Sequence, residues 1–523
     1  MPFNHNQRYF TRSFWLSLPV FLMFMGIYLF SIGTGFDSSD AQVMYATGRA
    51  LAFSGTVALQ DDYGLPQIRL YPDGHYYSQY DPGMALLSAP VILVSDALAG
   101  WQLWNRYAFA AWMVRWISAL AVAAGLAGLF KMALSIYENY RLALMIVLIA
   151  GLCTPVWVYA RLYFTEGLLA GLLTLAFWNA YRRRGLWAGL WLGLAILTRA
   201  AMSIYLLPLV WLLWRNNLIL TQRGGVRPYA RTDGENAPCD DEKLPGRGEA
   251  HLARIKNKSD GSRIVFALIY GVIPFMIFPM VAAFGLLYHN QIRGGEAFSF
   301  GYGGQGFDTF LPTGIFGLLL SPGKGVFIYA PPLILSIFGW RRFWRRERPL
   351  AEAMLLAAGV ALLFYGKWWA WHGGWCWGPR FLIPLLPLWI LPAGEVLHGI
   401  RKSRVMQVTA GFLAVTGFAL ALIGVLTDVN LHYSRQIANW IEKHDYQPGD
   451  EIPDDTPRDV VNYSLALPML DMLRFAVDGQ YESPGILHLR SMGWQTAPAV
   501  IFPIFIVIIF GVNMVLMVRI DEQ

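Results

Sequence analysis

The residues of this chain with the most evident capacity for chemistry are two carboxylates and three cations. Asp37 and Asp40 stand in "FDSSDAQVMYATGRAL" (36–51), at once after the apolar run "FWLSLPVFLMFMGIYLFSIG". Arg199 ends "GLAILTRA", Lys324 sits in "SPGKGVFIYAPPL", and Arg380 follows a Gly-Pro turn in "WHGGWCWGPRFLIPLLP". A carboxylate held beside a hydroxyl can take its proton. Arginine and lysine can bind an anionic phosphate, arginine through a planar fork. Binding both reactants in one pocket supplies much of the remaining acceleration. Each residue also has a plainer reading. Ser38, Ser39 and Asp40 make a helix N-cap before "AQVMYATGRALA". Arg199 can anchor a helix end at an interface, and Lys324 can snorkel to lipid headgroups. Glu166, in "YFTEG", can cap the helix that follows it. His372 can be satisfied by backbone, and the aromatic residues at 368–377, Trp375 among them, suit an interfacial belt as well as a sugar platform.

These residues need apolar segments to hold them. Of the 523 residues 56% are hydrophobic and only 14% charged, against about 25% charged in an ordinary soluble domain. With many apolar runs near twenty residues, the chain reads as an all-α polytopic membrane protein. The first run is too long, and too poorly followed by small residues, for a cleaved signal peptide. The net charge of +7 does not point to nucleic acid, because Lys and Arg cluster in short loops between apolar runs, the positive-inside pattern. Cys153, Cys239 and Cys376 are odd in number and far apart, which argues against a disulfide framework.

Counting runs gives about twelve transmembrane helices with both termini cytoplasmic. The core is 1–427. Residues 35–107 form a first outer loop, in which "PGMALLSAPVILVSDALAGW" lies in or dips into the interface. Short helices are expected at about 186–200 and 201–214. Residues 215–262 read as a mobile cytoplasmic loop, 428–497 as an outer segment, and 498–523 as a last helix and tail. "RRR", "RRFWRRER" and "RKSR" then share one side. Asp37, Asp40, Glu166, Arg199, Lys324, His372 and Arg380 share the other. Outside the membrane there is no nucleotide sugar, so an enzyme there needs an activated donor that arrives through lipid. A polyprenyl-phosphate sugar fits that need.

The motifs resemble, in order along most of the chain, those of the GT-C superfamily of integral-membrane glycosyltransferases, in particular its protein O-mannosyltransferase and aminoarabinose-transferase-like group. "DAQVMY" places Asp40 on the first acid of the acidic motif and Tyr45 on its tyrosine; the second acid is missing. "YYSQYDPG" retains Tyr80, Pro82 and Gly83 but has Gln79 where the group carries lysine. "GLAILTRA" places Arg199 on the basic position. The resemblance implies a GT-C-like fold and transfer of one sugar from a polyprenyl phosphate at the outer face of the plasma (inner) membrane. Asp40 and Asp37 would be catalytic. Arg199, Arg380 and Lys324 would bind the donor phosphate. Tyr45, Tyr80, Glu166, His372 and Trp375 would contact substrate. No cofactor or metal is implied, although Asp37 and Asp40 have the chemistry to hold a divalent cation. The sugar and the acceptor (protein, lipid or polysaccharide) are not written in the motifs. Two rivals stay open: a transporter or flippase of lipid-linked glycans, and a polymerase or ligase using a lipid diphosphate. A transporter would carry its charges mid-span and show repeated halves, neither of which is visible here.

Overall fold

The computed structural model describes residues 5–33, 36, 38–99, 106–222, 265, 268–303, 305–399 and 403–426. Asp37, most of the expected cytoplasmic loop at 215–262, the outer segment 428–497 and the last helix lie outside them. The described part is mostly helical. Its elements run α1 (His5–Ser31), α2 (Ser39–Ser54), a hairpin of β1 (Ile68–Leu70) and β2 (Tyr76–Ser78), α3 (Gly83–Ala99), α4 (Arg106–Tyr137), α5 (Tyr140–Leu152), α6 (Val156–Ala160), α7 (Thr165–Tyr181), α8 (Gly185–Thr198) and α9 (Leu206–Gln222). Then follow α10 (Ile273–Gly294), α11 (Leu311–Leu320), α12 (Val326–Tyr329), α13 (Leu333–Arg346), α14 (Arg348–Lys367), α15 (Leu386–Trp389), α16 (Ala393–His398) and α17 (Arg404–Leu426). Turns of 3₁₀ helix at Ala200–Tyr205 and Arg380–Leu385 lead into α9 and α15.

Among the described residues five helical stretches are long and apolar enough to cross a membrane: Arg106–Tyr137, Leu268–Gly294, Arg348–Lys367, Arg380–His398 and Arg404–Leu426. Other apolar helices, such as α8, are shorter. The surface agrees with lipid contact. On α17, Val405, Val408, Phe412 and Val415 are each at least 68% exposed, and their spacing puts them on one helix face. Ile273, Ile277, Val281 and Phe284 form a second such face on α10. Apolar stripes of this length exceed what a soluble monomer leaves in water.

Several boundaries differ from the hydropathy reading. The stretch "VWVYARLYFTE" (156–166) is not continuous helix. It holds the short α6, a break, and the first turn of α7, because Pro155 and the extended Phe164 interrupt the ladder. The short helices expected at about 186–200 and 201–214 become α8, a 3₁₀ turn and an α9 that continues to Gln222. The segment from Gly83 to Ala99 is a 17-residue helix packed on α2, α4 and α8.

The core is built where α4 lies along α7, α7 along α8, and α8 along α10. Without a hydrophobic force between helices in lipid, close backbone approach carries such contacts. At Gly171 a Cβ would stand 2.1 Å from the Ala121 carbonyl oxygen, so only glycine lets α7 approach α4 there.

Candidate active site

Asp40 is placed by a cap. Ser38, in extended conformation, accepts a hydrogen bond from the Ala41 N–H at 3.2 Å and starts α2. Asp40 thus stands in the first turn, where the helix dipole favours a carboxylate. Glu166 stands in the first turn of α7. Arg199 ends α8 because its own backbone is extended. Arg380 starts the 3₁₀ turn that follows Gly378 (φ +65°) and Pro379.

Four elements thus send their ends to one point, and an ion-pair cluster forms there. One oxygen of Glu166, Oε1, accepts from Arg199 Nη2 and from Arg380 Nε, both at 2.6 Å. Glu166 itself is fully buried. Arg199 also donates to Thr165 Oγ1 at 2.9 Å. Arg380 reaches Asp40 Oδ2 through Nη2 at 2.8 Å and the Gly373 carbonyl through Nη1 at 3.3 Å. The guanidinium of Arg380 lies over Phe164, 4.6 Å from the ring centroid, and that of Arg199 over Phe381 at 5.7 Å. Asp40 Oδ1 accepts from the Tyr80 hydroxyl at 2.5 Å. Burial and the Asp40 charge raise the Tyr80 pKa well above that of a free phenol, so Tyr80 stays a donor.

A small cavity is lined by Asp40, Met44, Tyr80, Asp81, Thr165, Thr198, Arg199, Tyr302 and Arg380. Its volume, about 10 Å³, holds about one water. Asp81 comes here because Gly83 packs against the end of α8. A Cβ at Gly83 would stand 2.5 Å from Thr198 N and Cα. This contact brings Asp81 Oδ2 to the Ala200 N–H at 2.6 Å. Behind it, the buried Arg293 of α10 donates to the carbonyls of Ser78, Gln79 and Ser299 and to Asn290 Oδ1. It therefore ties the strand that leads to Tyr80 and Asp81 to α10 and to the loop carrying Tyr302. Burial pushes the Asp81 carboxyl up to about 6, although the Ala200 N–H and the charges of Arg293 and Arg199 pull it down.

Of the residues expected from sequence, Asp40, Arg199, Arg380 and Tyr80 meet in this cavity, and Glu166 sits behind it as the shared anchor of the arginines. Asp37 lies outside the described residues, and Lys324, Tyr45, His372 and Trp375 do not line the cavity. Lys324 is fully buried and points away; its Nζ donates to the carbonyls of Gly374 (2.8 Å) and Cys376 (2.7 Å) and lies 3.3 Å from Cys376 Sγ. A cation so engaged braces the turn that carries Arg380. Tyr45 is buried against Phe36 and Tyr107. His372 Nδ1 accepts from the Gly374 N–H within the same turn. Trp375 is 40% exposed and lines no wall of the cavity. Asp81, Tyr302 and Arg293 were missed. The signal for Asp81 was an acid before Pro-Gly in "QYDPG"; for Arg293 and Tyr302, inside "NQIRGGEAFSFGYGG", no local pattern stands out. No group of three or more metal-binding side chains occurs among the described residues.

An apolar groove of about 380 Å³ lies beside the cavity. Pro82 and Leu86 of the α3 region, Leu190, Leu194 and Leu197 of α8, and Phe278 and Val281 of α10 line it. Asp81 and Pro82 are consecutive, as are Leu197 and Thr198, so residues next to one another in the chain line the cavity and the groove.

No family model and no curated protein matches the sequence. The chain is similar to the solved structure of ArnT from Cupriavidus metallidurans in the apo state. The two are 15% identical, with a TM-score of 0.42, over 90% of this chain and 89% of that one. The structure of ArnT bound to undecaprenyl phosphate is also similar, at 14% identity and a TM-score of 0.42, over 89% of this chain and 77% of that one.

Proposed function

We propose that this chain is a GT-C-type glycosyltransferase that moves a sugar from a polyprenyl phosphate to an acceptor on the outer face of the plasma membrane. The observation that carries this reading is the junction of two environments. Two partly buried arginines and three carboxylates line or back a polar cavity, and an apolar groove of about 380 Å³ is lined by the chain neighbours of two of its wall residues. A lipid phosphate needs both. Its anion takes the guanidiniums and its chain takes the groove, since each buried CH₂ contributes about 0.8 kcal/mol.

The cluster also indicates how the donor is accepted. With room for about one water, the cavity is filled by its own ion pairs. A phosphate enters by replacing the Asp40 carboxylate on Arg380, while Glu166 keeps both guanidiniums in place. The leaving polyprenyl phosphate then departs as an anion into preorganised donors, which stabilise charge as it develops. The charged groups sit at helix ends, as transfer at one membrane face requires; a transporter would carry them mid-span.

The purified protein should bind polyprenyl monophosphate in nanodiscs and release sugar from at least one donor of a panel of polyprenyl-phosphate-linked mannose, galactose, glucose and aminoarabinose. Transport of these lipids without cleavage would favour the flippase. Turnover of diphosphate donors alone would favour the polymerase or ligase.

The outer-face placement has its own test. Thr56 and Ser403 are both exposed and are expected on opposite sides. Single cysteines there should be labelled by an impermeant maleimide, the one at Thr56 from outside and the one at Ser403 only after permeabilisation. Labelling of both from one side would overturn the topology.

A further inference from the structure

The two carboxylates that line the cavity are not equivalent. Asp40, expected from its motif position to be catalytic, has both oxygens engaged: Oδ1 by the Tyr80 hydroxyl and Oδ2 by Arg380. Asp81 uses Oδ2 for the Ala200 N–H. No donor among the described residues reaches its Oδ1, and Asp81 lines the cavity. Its backbone is fixed from two sides, by Gly83 against α8 and by Arg293 against the carbonyls of Ser78 and Gln79. A base must be placed before the reaction begins, and it must keep a lone pair for the incoming proton.

We propose that Asp81 is the general base of this site, and that Asp40 is a positioning residue that orients Arg380 and Tyr80. The assignment rests on the transfer reaction proposed above. In that reaction the acceptor O–H gives its proton to Asp81 Oδ1. The acceptor oxygen bonds to the anomeric carbon, and the bond from that carbon to the phosphate oxygen breaks with its electron pair on the phosphate. Polyprenyl phosphate leaves against Arg199 and Arg380, and Asp81 passes its proton to water. The environment suits the task. Burial raises the Asp81 carboxyl to about 6, close to the operating pH at which a base works best. Arg199 and Arg293 face it as cations, and Tyr302 feels its charge from the loop after α10. Asp40, Tyr80 and Arg380 complete the surroundings across the cavity. Because the group is raised, its charged form is present above about pH 6 and is lost as pH falls through that value.

The experiment compares Asp81→Asn with Asp40→Asn in nanodiscs. Release of free sugar from the donor panel is measured with water as acceptor, so that the natural acceptor need not be known. Asn at 81 can still accept from the Ala200 N–H, so the fold around it is retained. We expect D81N to lower kcat by about 10²–10⁴-fold with binding of polyprenyl monophosphate unchanged. The fall of wild-type kcat/KM below about pH 6 should vanish from the residual rate. Formate should restore part of the activity of Asp81→Ala and none to Asp40→Ala. D40N keeps oxygens for Arg380 and Tyr80 but removes the charge that the phosphate must displace, so it should shift KM for the donor and lower kcat far less than D81N does. Wild-type kcat in D81N overturns the assignment, as does formate rescue of Asp40→Ala alone, or loss of lipid-phosphate binding by D81N in step with its rate. A wild-type protein that cleaves no donor of the panel overturns the transfer reaction itself, a failure distinct from any of these.

Discussion

Replacing Arg380 by lysine should lower sugar transfer by about 10²–10³-fold, the loss that follows removal of one preorganised transition-state donor. Arg380 directs three different nitrogens at three acceptors: Nε at Glu166, Nη2 at Asp40 and Nη1 at the Gly373 carbonyl. Its guanidinium carbon also lies over Phe164, 4.6 Å from the ring centroid. Lysine is a point charge on a flexible stem and reproduces neither the fork nor the stacking. The charge of the cluster survives in the variant, so the fold should hold and the loss should fall on kcat/KM. Initial rates with the best donor of the panel, beside a melting curve in the same detergent, separate the two. A lysine variant as fast as wild type would mean that Arg380 supplies charge alone and that its geometry is incidental.

The largest structural effect is expected from Glu166→Ala. The carboxylate is fully buried between two arginines that are themselves only 14% and 12% exposed. Removing one partner of a buried ion pair leaves an uncompensated charge and costs about 3–5 kcal/mol. Here two guanidiniums lose the oxygen they share. Glu166→Gln keeps the shape and part of the hydrogen bonding, so it should be milder. If the arginines form a phosphate site, added polyprenyl monophosphate should replace part of the missing charge. It should then raise the melting temperature of E166A more than that of wild type, since a ligand stabilises the state it binds. Equal shifts in the two proteins would separate the ion-pair cluster from lipid-phosphate binding.

Read alone, the sequence points to a helical, multi-span class of structure and singles out four of the residues that line one cavity. Apolar run length, scarce charge and the clustering of Lys and Arg do not depend on how helices pack, because the bilayer acts on each segment separately. The N-cap at Ser38 and the helix stop at Arg199 were legible for the same reason: caps and breaks are local. Asp40, Tyr80, Arg199 and Arg380 were therefore found at helix ends and turns, and they do meet. Whether a cation faces a cavity or a carbonyl is decided elsewhere. Lys324 and Arg380 look alike in a list of basic residues near Gly and Pro, yet Lys324 is turned inward by the chain folding back at Gly374 and Cys376. Tyr45 keeps its motif spacing but spends its ring on Phe36 and Tyr107. Asp81 had no local distinction beyond an acid before Pro-Gly. It became a candidate base only because a glycine lets α3 touch the end of α8, and because Arg293, more than two hundred residues away in the chain, binds the carbonyls just before it. Such contacts join residues far apart in sequence, and no periodicity or spacing encodes them.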